Sequence, residues 1–147
     1  MIKFMFSSSL KLSIILAFCL YTGIAFAQIA SPKATMVETA MEIEANIPSL
    51  LPAVHTVRQA ASRTRISEYF NTCLAISKKV IRAGENMSDN QFKQFEMEYL
   101  AASQALPNTN CDRLSGLEKS ICECKAEGGG GGTLVKCVSD KAPPEGY

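Results

Sequence analysis

The segment ISEYFNTCLAISKKVIRAG, residues 66–84, carries the clearest structural pattern in the chain. Its apolar residues recur at intervals of three and four, which places them on one side of an α-helix. We therefore predict that this side faces a protein core, and the stripe consists of Ile66, Tyr69, Phe70, Cys73, Leu74, Ile76, Val80 and Ile81. We expect the helical region to begin near Pro52, with a weak point over Arg58–Arg65, and to end at Gly84, which can adopt a positive φ.

Patterns on both sides of this segment predict further helices. Residues 32–46 place apolar groups at helical spacing, and we expect Pro48 to end that helix. After Gly84, Ser88 and Gln91 form a capping-box pattern, followed by an apolar stripe of Phe92, Phe95, Tyr99, Ala102 and Leu106. Because only a few residues separate the two long amphipathic segments, we predict an antiparallel helical hairpin.

The C-terminal part of the chain predicts a shorter helix and then a flexible segment. Ser115 and Glu118 form a second capping-box pattern at the start of this helix. Five consecutive glycines, Gly128–Gly132, are typical of a flexible tether, and we predict a short strand or an extended flap over Thr133–Val138. The predicted fold class is all-α, a small disulfide-stabilised bundle of three to four helices with a flexible Gly-rich C-terminal flap.

The beginning of the chain has the three parts of an export signal. Lys3 and Lys11 precede an apolar run, and Ala25 and Ala27 provide the small side chains that a signal peptidase accepts. We expect cleavage after Ala27 rather than an uncleaved anchor, because the apolar run is shorter than the ~20 residues that span a bilayer. The mature protein is then periplasmic or secreted, with no stable membrane anchor. The predicted limits are 1–27 for the signal, 28–127 for the helical domain and 128–147 for the tether and flap.

Removal of the signal changes the charge of the chain. It takes away two basic residues and no acidic ones, so the formal net charge falls from +1 to −1. A nearly neutral chain argues against nucleic acid as the partner. One segment is nevertheless basic, with Glu68 as its only acidic residue, and it contains Arg58, Arg63, Arg65, Lys78, Lys79 and Arg82. These side chains either pair with acidic neighbouring helices or form a basic patch for an anionic protein, lipid or polymer surface.

The cysteines predict a disulfide framework, because small exported domains supplement their cores with crosslinks. Five remain after export: Cys73, Cys111, Cys122, Cys124 and Cys137. Because five is an odd number, at least one thiol is free, is paired with another molecule, or pairs only transiently.

Cys122 and Cys124 lie about 200° apart around a helix and should have different partners. We predict that one of them bonds Cys73 and that Cys137 bonds another of the C-terminal four. A Cys111–Cys122 bond requires a break in the helix between them.

The pair Cys122 and Cys124 also supports an alternative function. Two thiolates separated by one residue can bind Cu(I) or form a transferable disulfide, so a thiol-redox or metal-handling protein stays open.

Other side chains favour binding over catalysis. His55 is the only histidine, and the carboxylate pairs Glu96 with Glu98 and Glu118 with Glu123 are typical of solvated helix faces. We predict no catalytic residues, no enzymatic activity and no cofactor. The expected function is that of a small helical interaction protein, an inhibitor, immunity factor or assembly factor, which binds another envelope or extracellular protein.

Overall fold

The structure of the protein is a computed structural model, and it describes residues 30–107, 110–128 and 132–141. The chain divides after Ser31, and the description below concerns the second unit, Pro32–Tyr147. The export signal predicted over residues 1–27, with Ala25 and Ala27 at its cleavage site, lies outside the described residues.

The described residues contain α-helices and one short 3-10 turn, and no strand. The elements are α1 (Pro32–Val54), α2 (Ala60–Ala83), α3 (Asp89–Gln104), the 3-10 turn (Cys111–Arg113), α4 (Gly116–Ala126) and α5 (Gly132–Lys141). Two disulfide bonds join the C-terminal elements. The predicted all-α, disulfide-stabilised bundle is therefore confirmed.

Helix α2 packs against both α1 and α3. Its predicted apolar stripe faces the core, since all eight side chains are buried or packed against the buried cluster. Phe70, Cys73 and Val80 are completely inaccessible to solvent. Burial of each large apolar side chain contributes about 1.5–3 kcal/mol, so this stripe holds α2 in place.

Helices α2 and α3 form the predicted antiparallel hairpin. Gly84 ends α2 with a φ of 68°, a conformation that side chains disfavour. The capping box at the start of α3 is confirmed, because the Gln91 backbone N–H donates to Ser88 Oγ (3.2 Å) and the Ser88 N–H donates to Gln91 Oε1 (2.9 Å). Ser77 and Tyr99 share a buried hydrogen bond of 2.8 Å between the two helices.

Pro48 does not end α1, so that prediction is wrong. Pro48 and Pro52 both lie inside the helix, one turn apart and exposed to solvent. The residues that continue the helix, such as Ile47 and Leu50, are buried against the core, and this packing offsets the hydrogen bonds that the prolines cannot donate. The break comes later, over residues 55–59, and α2 therefore begins at Ala60 rather than near Pro52.

The segment Thr133–Val138 is neither a strand nor an extended flap, because it forms most of α5. Leu134, Val135 and Val138 are completely buried, and α5 packs against α1 and α4. Lys136 Nζ adds an ion pair of 2.9 Å with a carboxylate oxygen of Glu42 on α1. Spacings of one and three between the buried residues fit a helical face, and the apolar contact with α1 stabilises a helix too short to persist alone.

Candidate functional site

The two disulfides connect four of the five cysteines. Cys111 bonds Cys122 across a Cα separation of 5.6 Å, and Cys124 bonds Cys137 across 5.8 Å. The predictions that Cys122 and Cys124 have different partners and that Cys137 bonds within the C-terminal four are confirmed. The break required for the first bond lies at Leu114 and Ser115, whose extended backbone separates the 3-10 turn from α4.

The predicted bond between Cys73 and the C-terminal helix is wrong. Cys73 is a free, fully buried thiol in the middle of α2. Helix α4 packs chiefly against α5 and the 3-10 turn, and it is crosslinked to these elements instead. Burial raises the pKa of the Cys73 thiol to about 11, and a hydrogen bond with Tyr69 partly counteracts this effect. The thiol is therefore neutral at physiological pH and serves as a small apolar core group.

The sulfurs of Cys122 and Cys124 are committed to separate bonds. The transferable bond between Cys122 and Cys124 is therefore not formed, and in this oxidised state neither sulfur is a free thiolate that could bind Cu(I). Within the described ranges, no cluster of three or more His, Cys, Asp or Glu side chains could hold a metal ion.

Ser115 precedes α4, but its side chain makes no capping hydrogen bond, so the second predicted capping box is wrong. Gly116 begins α4 with a φ of 59°, which turns the chain sharply at this point. This turn follows the 3-10 element directly, and together they form one wall of a groove.

The groove has a volume of about 340 Å³ and lies between the start of α2, the end of α3 and the wall formed by the 3-10 turn and α4. Its apolar lining includes Ile66, Leu106, Leu114 and Ile121. Four cationic side chains also line it, Arg58, Arg65, Arg113 and Lys125, together with one carboxylate, Glu118. A concave apolar surface with a few converging polar groups is the usual form of a binding site.

Two connections give this groove its shape. Lys125 Nζ donates a hydrogen bond of 2.6 Å to the Leu106 carbonyl oxygen, which joins α4 to the end of α3. The Cys111–Cys122 disulfide joins α4 to the 3-10 turn that carries Arg113, and Cys122 itself lines the groove. The site is therefore largely built before any ligand arrives.

The predicted basic patch divides into two groups along α2. Arg58 and Arg65 line the groove, whereas Lys78 and Arg82 lie at the other end of the helix. The 13 residues from Arg65 to Lys78 span ~20 Å at a helical rise of about 1.5 Å per residue. These six cations therefore do not form one continuous site.

The other two members of the patch are engaged within the fold. The Arg63 guanidinium donates to the Val57 carbonyl oxygen at 3.1 Å. Lys79 Nζ forms an ion pair of 3.2 Å with Glu98 on α3, which is the charge complementarity expected between neighbouring helices.

The arginines of the groove differ from these paired cations. Arg58, Arg65 and Arg113 are exposed, and none of them has a hydrogen bond or ion pair from its side chain to another described residue. Their guanidinium groups retain hydrogen-bond donors for a ligand. The groove is thus a place where positive charge and accessible apolar surface occur together.

Sequence patterns do not reveal Arg113 and Lys125 as members of this site. Both are isolated basic residues in the sequence, and they meet Arg58 and Arg65 only through the fold. One feature of the sequence could have pointed to Arg113. This residue lies in the loop that a Cys111–Cys122 disulfide closes.

The remaining predicted site residues lie elsewhere. His55 is exposed in the turn after α1, and Glu96 is exposed on α3. Glu98 contacts Lys79, and Glu123 lies 3.9 Å from Lys119 and from Lys141.

No helix of the described ranges has the length and apolar character needed to cross a membrane. Comparisons of this chain with models of protein families, with curated proteins and with solved structures found no match.

Proposed function

We propose that this protein is an exported binding protein whose crosslinked helical body recognises another envelope or extracellular protein through the groove. The observation that carries the proposal is a set of three exposed arginines, whose side chains have no partner among the described residues, beside a concave apolar lining. Arginine is enriched at protein interfaces, where its apolar stem packs and its guanidinium group forms directed hydrogen bonds. Such a domain would serve as an inhibitor, an immunity factor or an assembly factor.

The disulfides support the export part of this proposal. Two structural disulfides in a small domain are typical of proteins that mature in an oxidising compartment. The predicted signal over residues 1–27 provides a route to that compartment.

The chemistry of the groove supports binding rather than turnover. Its described lining contains no histidine and no free thiol, since Cys122 is held in a disulfide. Nucleophilic catalysis requires a nucleophile next to a base, and arginine cannot act as that base.

The test is copurification of the tagged protein from its native compartment. It compares two variants, one expected to lose the partner and one expected to keep it. The double variant Arg58→Glu with Arg65→Glu should lose a stoichiometric partner that the unmodified protein retains. The double variant Lys78→Glu with Arg82→Glu is the matched control, because it makes the same change of charge on exposed residues at the other end of α2. Failure to recover any stoichiometric partner, or equal losses in both variants, would contradict the proposal.

A further inference from the structure

We propose that the groove binds an acidic peptide segment in which carboxylates flank an apolar anchor side chain. This inference rests on the proposed function and specifies the chemistry of the partner. It follows from the depth of the apolar surface, from the positions of the cations and from the single carboxylate of the groove.

Three of the four apolar side chains that line the groove are buried, and Leu114 is half-buried. Ile66, Leu106 and Ile121 are 5%, 4% and 6% exposed, so only a side chain that enters the groove can reach them. A volume of about 340 Å³ is at the lower end of ligand sites. It suits one or two apolar side chains better than the broad face of a helix.

The cations come from different elements around this apolar surface. Arg58 precedes α2 and Arg65 lies in its second turn, whereas Arg113 belongs to the 3-10 turn and Lys125 to α4. An extended segment in the groove would therefore meet positive charge on both sides of an inserted side chain. Each guanidinium group can hold a carboxylate through two parallel hydrogen bonds, which selects aspartate and glutamate on the ligand.

Glu118 favours a peptide over other anionic ligands. Its carboxylate lines the same groove and can accept hydrogen bonds from the backbone N–H groups of a peptide. The phosphodiester backbone of a nucleic acid and the phosphate of a lipid headgroup have no such N–H groups. A flat bilayer surface also cannot reach an apolar lining that is recessed. The charge pattern and the concave shape thus point to the same class of ligand.

The groove walls are held in place before the ligand binds, which should increase the affinity for the acidic peptide. The Cys111–Cys122 disulfide and the hydrogen bond from Lys125 to the Leu106 carbonyl oxygen hold the walls together before binding. Less conformational entropy is then lost when the ligand binds, and more of the contact energy contributes to affinity.

The experiment is an NMR titration of the isotope-labelled protein with three synthetic peptides. The probe is acetyl-Glu-Asp-Leu-Phe-Asp-Glu-amide, and the controls are the same peptide with Gln and Asn for its acids and with Ser-Ser for Leu-Phe. We expect shifts concentrated at Ile66, Leu106 and Ile121, and an affinity for the probe at least about tenfold above that for either control, or ~1.4 kcal/mol. The variant Arg58→Glu with Arg65→Glu should lose this preference, and Lys78→Glu with Arg82→Glu should keep it.

Equal shifts with all three peptides, shifts away from the groove, or equal binding by both variants would overturn the inference. Anionic phosphatidylglycerol vesicles are the competing ligand, and groove-dependent vesicle binding without peptide binding would also overturn it. A copurified partner that needs the groove but inserts no acidic segment would refute this inference and leave the proposed function intact. Peptide binding without any copurified partner would support this inference and contradict the proposed function.

Discussion

The long helices of the N-terminal half and the short helices of the C-terminal part are held together in different ways. Helices α1 and α2 have 23 and 24 residues and are fixed by apolar packing, without a crosslink between them. Helices α4 and α5 have 11 and 10 residues, and both disulfides lie in this part. Helices shorter than about 12–15 residues are marginal on their own. The comparison indicates that the crosslinks occur where the helices are short.

Cys73 differs from the C-terminal cysteines in that it forms no disulfide. It lies among the long helices, where packing is sufficient, and its sulfur is buried without a disulfide. The same residue type is therefore an apolar core group in one region and a crosslink in the other.

The largest expected effect is in the packed region. Phe70→Ala removes a completely buried ring from the centre of α2 and should lower the free energy of unfolding by about 3–5 kcal/mol, through lost burial and the remaining cavity. Urea denaturation followed by circular dichroism measures the change. Met97→Ala is the control, because this side chain is 70% exposed and its loss should change stability by less than ~0.5 kcal/mol.

Removal of the Cys124–Cys137 bond tests the crosslinked region. The variant Cys124→Ser with Cys137→Ser should lose about 2–4 kcal/mol, because the unfolded chain gains the freedom of a loop spanning 13 residues. Hydrogen exchange should show lost protection in α5 while α2 keeps its own, since packing rather than the disulfide holds α2. Equal loss of protection in both helices would mean that the two regions are not stabilised differently.

A smaller effect is expected from the helix caps. Ser88→Ala removes an observed capping hydrogen bond at α3 and should lower stability by ~1 kcal/mol. Ser115→Ala at α4 should change stability by only a few tenths, since no capping bond is present there. Thermal unfolding of both variants makes the comparison, and equal losses would show that Ser115 caps α4 in solution.

The smallest effect at neutral pH concerns the Cys73 thiol. Its pKa is raised from the ordinary 9.0 to about 11, so the stability contributed by the neutral thiol is complete below pH 9.0 and is lost as the pH rises towards 11. At pH 8 the folded protein should leave this thiol unlabelled by iodoacetamide, whereas urea should expose one thiol that Cys73→Ala lacks. Rapid labelling without urea, measured by intact mass, would place Cys73 outside the core.

Local patterns predicted the central hairpin because the forces that shape it act over short distances in the sequence. The stripe from Ile66 to Ile81 follows the helical period, and the bond between Ser88 and Gln91 joins residues three apart. The separation of Cys122 from Cys124 in the bonding pattern follows from helix geometry in the same way. These features depend little on where the rest of the chain lies.

Tertiary contacts decided the features that were predicted wrongly or missed. The α1 helix continues through Pro48 because Ile47 and Leu50 are buried, and α5 is helical because Leu134 and Val138 find an apolar surface.

The sequence alone therefore determined the all-α class, the α2–α3 hairpin and the presence of a disulfide framework. Only the tertiary structure decided that Cys73 stays free and that Arg58, Arg65 and Arg113 meet around one groove. The physical reason is that helical periodicity and capping arise between neighbours in the sequence. Bond partners and charge clusters depend instead on how distant helices pack, and many packings satisfy the same local pattern.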